Sequence, residues 1–141
     1  EILEELPDAE AVIVPIGGGG LAAGVGMAVK SLNPNCKVYG VQAAGAPAMA
    51  DSYHKGEIVS GKVVKTFADG IAVKEPGDLT YALCSKYVDE IVTVEEDEIA
   101  QAILVLPVFF ISQTPIRRSI QIFKKTVGVI FVFCGSNFAY P

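Results

Sequence analysis

Four consecutive glycines, Gly17 to Gly20, are the residues of this sequence with the clearest chemical potential. They follow the apolar run 11–16, and a stretch of small residues, 21–30, comes directly after them. The run predicts a buried parallel strand, and the stretch predicts a helix. Backbone N–H groups are unpaired at the N-terminus of a helix, where the helix dipole also favours negative charge. Because glycine has no Cβ, a phosphate could approach this bend closely.

Three classes of phosphate-binding loop compete for this bend. A nucleotide P-loop needs a lysine after its last glycine; Gly19 and Gly24 have the right spacing, but Val25 stands at the lysine position. A dinucleotide-binding fingerprint needs an acid at the end of the second strand, where Gln42 and Ala43 stand instead. A single phosphate monoester, held by backbone amides alone, therefore suits the glycines best. The alternative is a tight strand-to-helix corner without a ligand.

The elements that would position the bend alternate between strands and helices. The predicted strands are 11–16, 36–42 and 90–94, and the predicted helices are 1–6, 21–32, 46–55, one capped by Asp78 and one that begins with Glu95. The alternation predicts an α/β fold with a doubly wound, mostly parallel sheet and flanking helices. The apolar faces predicted for the last two helices are Leu79, Ala82, Leu83 and Tyr87, and Ile99, Ala102, Ile103 and Leu106.

Charge is distributed unevenly along the chain. Residues 1–106 hold all 16 acidic residues, whereas 107–141 hold none and carry four basic ones. We therefore predict a divergent tail over 107–141, in which Pro107 interrupts the helical pattern and 124–133 forms a strand, with a final strand and turn over 127–137. The net charge of −5 argues against a nucleic-acid partner.

Other features of the composition predict a cytoplasmic protein that does not enter a membrane. The three cysteines lie far apart without a CxxC pair, which favours a reducing compartment. The acidic first residues differ from the basic flank of a secretory signal. The longest apolar runs, 102–111 and 127–134, are too short to span a bilayer.

The segment 12–21, VIVPIGGGGL, resembles the phosphate loop of pyridoxal-phosphate-dependent threonine/serine dehydratases, enzymes of the tryptophan-synthase-β-like class. The resemblance continues through five further segments, 38–42, 45–49, 68–73, 76–80 and 88–92. Within the family, the sequence is most similar to catabolic threonine ammonia-lyases. The resemblance implies pyridoxal 5'-phosphate as cofactor, elimination of ammonia from L-threonine to give 2-oxobutanoate, L-serine as a slower substrate, and a homo-oligomeric full-length enzyme.

The resemblance also implies roles for particular residues. It assigns the cofactor phosphate to Gly17, Gly18, Gly19, Gly20 and Leu21, the backbone of Gly70 to a place beside the cofactor ring, and Cys134 to the pyridine nitrogen. The family's Schiff-base lysine follows Ser-Phe, but no lysine of this sequence does, and the Ser-x-Gly-Asn-His motif is also absent. We therefore expect a carboxy-terminal fragment of the catalytic domain over 1–106, without a catalytic residue and inactive by itself.

Two further expectations concern metal and histidine. Serine racemases of the same family bind a divalent cation shortly after the second strand, but the segment 42–50 contains no acid here, so we predict no metal site. His54 is expected at the surface. Two alternatives to the dehydratase stay open at this point: a non-catalytic phosphate- or nucleotide-binding α/β module, and a structural remnant without a ligand.

Overall fold

A computed structural model describes residues 1–61, 63–111, 120–125 and 128–133. Strands and helices alternate over the first hundred residues, as the sequence predicts. The helices are α1 (Ile2–Glu5), α2 (Gly20–Leu32), α3 (Ala48–Lys55), α4 (Asp78–Tyr87) and α5 (Glu96–Ile111), with a 3₁₀ turn at Asp69–Ile71. The strands are β1 (Ala11–Pro15), β2 (Lys37–Ala43), β3 (Glu90–Val94), β4 (Ile120–Lys125) and β5 (Gly128–Phe133).

The described strands form one sheet in the order β3-β2-β1-β5-β4. β1, β2 and β3 run parallel, with Pro15 opposite Val41 and Ala43 opposite Val94. The predicted α/β class is therefore confirmed, and these three strands form its parallel part. The loop after β1 lies at the carboxyl ends of the parallel strands, where ligands of such sheets bind.

The tail adds an antiparallel pair to this sheet. β5 pairs antiparallel with β1 and with β4, and Lys125 lies opposite Gly128. The strand predicted over 124–133 is therefore only partly right: Gly128–Phe133 is a strand, as predicted, whereas Lys124 and Lys125 belong to the separate strand β4. The domain limit at 106/107 stays a prediction.

Small residues allow α2 to pack closely on the rest of the molecule. Ala22, Ala23 and Val29 of this helix are buried in the core beside β1. A Cβ at Gly26 would lie 3.2 Å from Tyr87 Cβ, so glycine is what lets α2 approach α4 so closely. This packing places the N-terminus of α2 beside α4.

The predictions for α4 need two corrections. The N-cap is Gly77, which has an extended backbone (φ −76°, ψ 151°), and Asp78 is the first helical residue. At that position the Asp78 carboxylate interacts favourably with the helix dipole. Of the predicted apolar face, Leu83 packs against the core and Tyr87 is half-buried. Leu79, however, is 71% exposed and Ala82 is also exposed, whereas Cys84 is fully buried. The buried face contains Cys84 because α4 packs on α2 and on the glycine bend.

α5 also differs from its prediction. The helix continues past Pro107 to Ile111, although an interior proline removes one backbone hydrogen bond and its ring crowds the carbonyl four residues earlier. Of the predicted apolar stripe, Ile99 is half-buried, but Ala102 is exposed and Ile103 is 54% exposed, so these two residues do not face the core. No helix in the described ranges is long and apolar enough to cross a membrane.

A cluster of charged residues connects the amino ends of β2 and β3. The Asp89 carboxylate lies 2.7 Å from Lys30 Nζ and 3.0 Å from Lys37 Nζ, and it accepts a 2.8 Å hydrogen bond from the Val38 N–H. Burial by itself raises the pKa of Asp89, but the hydrogen bonds from Lys30, Val38 and Lys37 outweigh burial and lower the pKa. We name these residues the Asp89 cluster.

Candidate functional site

The glycine bend joins the carboxyl end of β1 to the N-terminus of α2. The Ile16 N–H still donates to the Val41 carbonyl of β2 (2.8 Å), and the chain then leaves the sheet. Gly19 is the N-cap of α2 and has φ +92°, a left-handed conformation that favours glycine. Its carbonyl accepts the first hydrogen bond of the helix, from the Ala23 N–H at 2.8 Å.

The backbone N–H groups of the bend are unpaired. Within the described part of the chain, none of the five N–H groups from Gly17 to Leu21 donates a hydrogen bond. Orphan donors at a helix N-terminus, together with the positive end of the dipole, attract an anion. No charged side chain lies between Glu10 and Lys30 in the sequence, so the attraction comes from backbone groups.

Three backbone carbonyls of the bend, by contrast, are paired with side chains. Gln42 Nε2 donates to the Gly17 carbonyl (3.2 Å), Thr80 Oγ1 to the Gly18 carbonyl (2.6 Å) and Cys84 Sγ to the Gly19 carbonyl (3.6 Å). Burial raises the pKa of Cys84 to about 11, so this thiol keeps its proton at neutral pH and can donate. We name Gln42, Thr80 and Cys84 the carbonyl anchors.

Gln42 also connects the bend to α3. Its side chain is fully buried, and Oε1 accepts a 2.8 Å hydrogen bond from the Ala50 N–H in the first turn of α3. Both ends of the amide are therefore satisfied, as a buried polar side chain requires. The residue that stands in place of the dinucleotide-binding acid is thus a structural bridge.

The four glycines differ in the space around them. A Cβ at Gly19 would lie 2.4 Å from Met49 Cε, and a Cβ at Gly17 would lie 3.0 Å from Ile71 Cα. These two positions therefore need glycine because protein atoms surround them. A Cβ at Gly18 would meet only Val73 at 3.6 Å, and a Cβ at Gly20 would meet nothing within 4 Å. The bend thus packs against the protein at Gly17 and Gly19 and opens outward at Gly20.

The other predicted site residues have different outcomes. Gly70 lies in the exposed 3₁₀ turn, and the next residue, Ile71, contacts the bend at Gly17, so the structure brings this turn to the site. Leu21 is 44% exposed at the start of α2. Cys134 lies outside the described residues. The cofactor roles of all these residues remain predictions.

His54 lies on the surface of α3, where its ring contacts Tyr53 edge-on at a centroid distance of 5.6 Å. Among the described residues, no group of three or more histidine, cysteine, aspartate or glutamate side chains could hold a metal ion.

A phosphate group fits this arrangement. The donors are unpaired, the outward side at Gly20 has room, and the glycines that face inward fill spaces where any side chain would clash. The fold and the bend together define an α/β protein with a glycine-rich loop at the carboxyl end of its first parallel strand, where ligands of such sheets bind.

Comparison with known proteins identifies the family. The family model of pyridoxal-phosphate dependent enzymes matches residues 1–106, and the chain belongs to this family. It is 59% identical over 108 residues to an L-threonine ammonia-lyase from Thermotoga maritima, covering 75% of this chain and 26% of that protein. It is 50% identical over 106 residues to the catabolic L-threonine dehydratase TdcB from Escherichia coli K12, covering 75% of this chain and 32% of that protein.

A solved structure supports the same relationship. The processed form of threonine deaminase isoform 2 from Solanum lycopersicum superposes with a TM-score of 0.72 at 41% identity, covering 80% of this chain and 32% of that chain. The chain therefore spans about a quarter to a third of the length of the relatives named here.

Sequence reasoning found the bend but missed the carbonyl anchors. Thr80 and Cys84 lie more than 60 residues from the glycines that they contact, and Gln42 lies 25 residues away. The one available signal was the spacing of Thr80 and Cys84, which places both on one face of a helix. Because Thr80 and Cys84 carry a hydroxyl and a thiol, they were passed over for the larger apolar residues when the buried face was predicted.

Proposed function

We propose that this chain is part of a pyridoxal-phosphate-dependent ammonia-lyase that acts on L-threonine, and more slowly on L-serine. The observation that carries the proposal is the set of unpaired N–H groups from Gly17 to Leu21, in a chain that belongs to the pyridoxal-phosphate dependent enzyme family. The names of the ammonia-lyase and dehydratase relatives, at 59% and 50% identity, support the reaction and the substrate. Ammonia and 2-oxobutanoate are the products from L-threonine.

In this proposal the bend holds the phosphate of the cofactor. The backbone N–H groups of Gly18, Gly19, Gly20 and Leu21 bind its oxygens, and the dipole of α2 favours its negative charge. The 3₁₀ turn around Gly70 supplies backbone beside the cofactor ring. Cys134 remains the sequence-based candidate for the pyridine nitrogen.

When bound, pyridoxal phosphate withdraws electrons from the α-carbon of an amino acid, which favours loss of the α-proton and then of the β-hydroxyl. The contribution of this chain is orientation. By holding the phosphate at one fixed point, the bend restricts where the reacting end of the cofactor can lie. Since no lysine of the sequence follows Ser-Phe, we propose that the covalent anchor comes from residues outside this sequence.

The first test is enzymatic. The 141-residue chain, incubated with pyridoxal phosphate and L-threonine, should form no 2-oxobutanoate, whereas the product of the whole gene should form it. Activity of the chain alone would contradict the proposed division of roles. Absence of activity in a whole-gene product that binds the cofactor would contradict the reaction.

The second test measures binding at the bend. Pyridoxine 5'-phosphate and pyridoxine differ only in the phosphate, and neither carries an aldehyde that reacts with lysines. The chain should bind the phosphorylated compound more tightly. Equal affinity for the two would contradict the site, and tighter binding of a nucleotide than of pyridoxine 5'-phosphate would favour a nucleotide-binding module.

Two glycine variants make this test specific to the bend. A Cβ in a helix tilts toward the N-terminus, so the methyl of Gly20→Ala extends toward the expected phosphate and should weaken its binding about tenfold. Gly24→Ala is the matched control, because its methyl meets nothing within 4 Å and lies one turn further along α2. Equal binding by both variants would place the phosphate elsewhere.

A further inference from the structure

Three successive peptide groups of the glycine bend are held from the side opposite the open donors. The carbonyls of Gly17, Gly18 and Gly19 each accept a hydrogen bond from one carbonyl anchor. Gln42 reaches the bend from β2, and Thr80 and Cys84 reach it from neighbouring turns of α4. The three anchors therefore come from two separate elements of the fold.

Holding a carbonyl also directs the next N–H group. A trans peptide group is planar, and its C=O and N–H point in opposite directions. Fixing the carbonyls of Gly17, Gly18 and Gly19 toward β2 and α4 therefore fixes the N–H groups of Gly18, Gly19 and Gly20 away from them. Without such contacts, the glycine backbone would sample many conformations. The anchors restrict it before an anion binds, so less conformational entropy is lost on binding.

We propose that Thr80, assisted by Gln42 and Cys84, is a positioning residue that aims the backbone N–H groups of the bend at the cofactor phosphate. This inference rests on the proposed function, because it assumes that the bend binds that phosphate. It adds a role for three side chains that do not themselves touch the ligand.

Thr80 makes the shortest of the three contacts. Its Oγ1 lies 2.6 Å from the Gly18 carbonyl, at the centre of the bend, and 3.0 Å from the Gly77 carbonyl at the N-cap of its own helix. A hydroxyl has one proton to donate, and the shorter distance favours Gly18 as the acceptor. The Thr80 hydroxyl therefore holds the peptide group between Gly18 and Gly19, whose N–H lies in the middle of the unpaired donors.

The test compares Thr80→Val with Thr80→Ser in the 141-residue chain. Valine keeps the shape of threonine without the hydroxyl, whereas serine keeps the hydroxyl. The measured quantity is the ratio of the dissociation constants for pyridoxine and pyridoxine 5'-phosphate, which reports the contribution of the phosphate alone. We expect Thr80→Val to reduce this ratio about tenfold and Thr80→Ser to restore most of it.

A purely structural role would give a different pattern. In that case Thr80→Val would lower the melting temperature or weaken both ligands equally, and the ratio would be unchanged. An unchanged ratio in a folded Thr80→Val protein overturns the positioning role. If the wild-type chain itself does not prefer the phosphorylated ligand, the proposed cofactor site is wrong, and the positioning role fails with it.

Cys84→Ala supplies a second variant for the case in which Thr80→Val does not fold. It removes the donor to the Gly19 carbonyl, while the Ala23 N–H still binds that carbonyl. Because a thiol is a weak donor, we expect a smaller reduction of the ratio, about twofold. A ratio equal to that of the wild-type chain would contradict the role of this anchor.

Discussion

The amino ends and the carboxyl ends of the parallel strands are stabilised by different kinds of interaction. At the amino end, the Asp89 cluster joins β2 and β3 through ion pairs of 2.7 and 3.0 Å. At the carboxyl end, the carbonyl anchors hold the glycine bend through neutral donors. A carboxylate among the anchors would repel a phosphate, whereas an amide, a hydroxyl and a thiol orient the backbone without cancelling its positive end. Charged side chains therefore lie at the amino ends of the strands, where they stabilise the fold, and neutral donors lie at the carboxyl ends, beside the proposed phosphate site.

The largest effect is expected from Gly19→Ala, at the carboxyl end. The left-handed φ and the contact with Met49 should together lower the free energy of unfolding by about 3 kcal/mol. Urea-induced unfolding measures this loss. Gly24→Ala is the control and should be at least as stable as the wild-type chain, because alanine favours a helix. Equal stability of the two variants would show that the bend is not packed as described.

A smaller loss, about 2 kcal/mol, is expected from Asp89→Ala at the amino end. The substitution leaves the Val38 N–H without its acceptor and removes the carboxylate partner of the half-buried Lys30 amine, which keeps its 2.8 Å hydrogen bond to the Cys36 carbonyl. Lys37→Met removes only the exposed partner, so its loss should be clearly smaller by the same unfolding measurement. A larger loss from Lys37→Met than from Asp89→Ala would contradict this ranking within the cluster.

Acid should weaken the Asp89 cluster at the amino ends of β2 and β3. The pKa of Asp89 is lowered in the fold, so its carboxylate stabilises the protein above the unfolded value of about 3.9, and this contribution is lost as the pH falls through the lowered folded pKa. Thermal unfolding of the wild-type chain and of Asp89→Asn should therefore converge in acid. A difference in melting temperature that stays constant down to about pH 3 would contradict the assignment.

Alkali should weaken the interactions at the carboxyl ends of the parallel strands. The fold raises the pKa of Cys84 from 9.0 to about 11, so its thiol stabilises the protein below pH 9, and this contribution is lost between pH 9 and about 11. Cys84→Ser keeps a donor that does not ionise in this range. Its melting temperature should fall less than that of the wild-type chain over the same interval, and an identical fall would contradict the prediction.

Sequence patterns predicted the strands and the bend because these depend on local order. An apolar run followed by Gly17–Gly20 specifies a strand, a turn and a helix start within a few residues. The face of α4 could not be predicted in this way. Leu79 fits an apolar stripe, but α4 packs on the glycine bend, where a small thiol and a hydroxyl fit better than leucine. The anchors depend on contacts between distant segments, which no local pattern contains.

Helix α5 also shows that a local pattern does not predict which residues are buried. Its predicted apolar stripe matches helical spacing, yet Ala102 and Ile103 of that stripe are exposed. Periodicity identifies which residues could face a core, but it does not say which surface will cover them. Pro107 also misled the prediction, because an interior proline disfavours a helix without always ending it, and α5 continues to Ile111.

The donors that the bend offers are peptide groups, and peptide groups do not ionise over the range in which proteins fold. The glycine bend therefore has no titratable group of its own. Its attraction for a phosphate ester would follow the second ionisation of that ester, near pH 6, since the dianion is the better acceptor. Retention of the cofactor should therefore track the chemistry of the ligand as the solution is acidified, for as long as the surrounding fold persists.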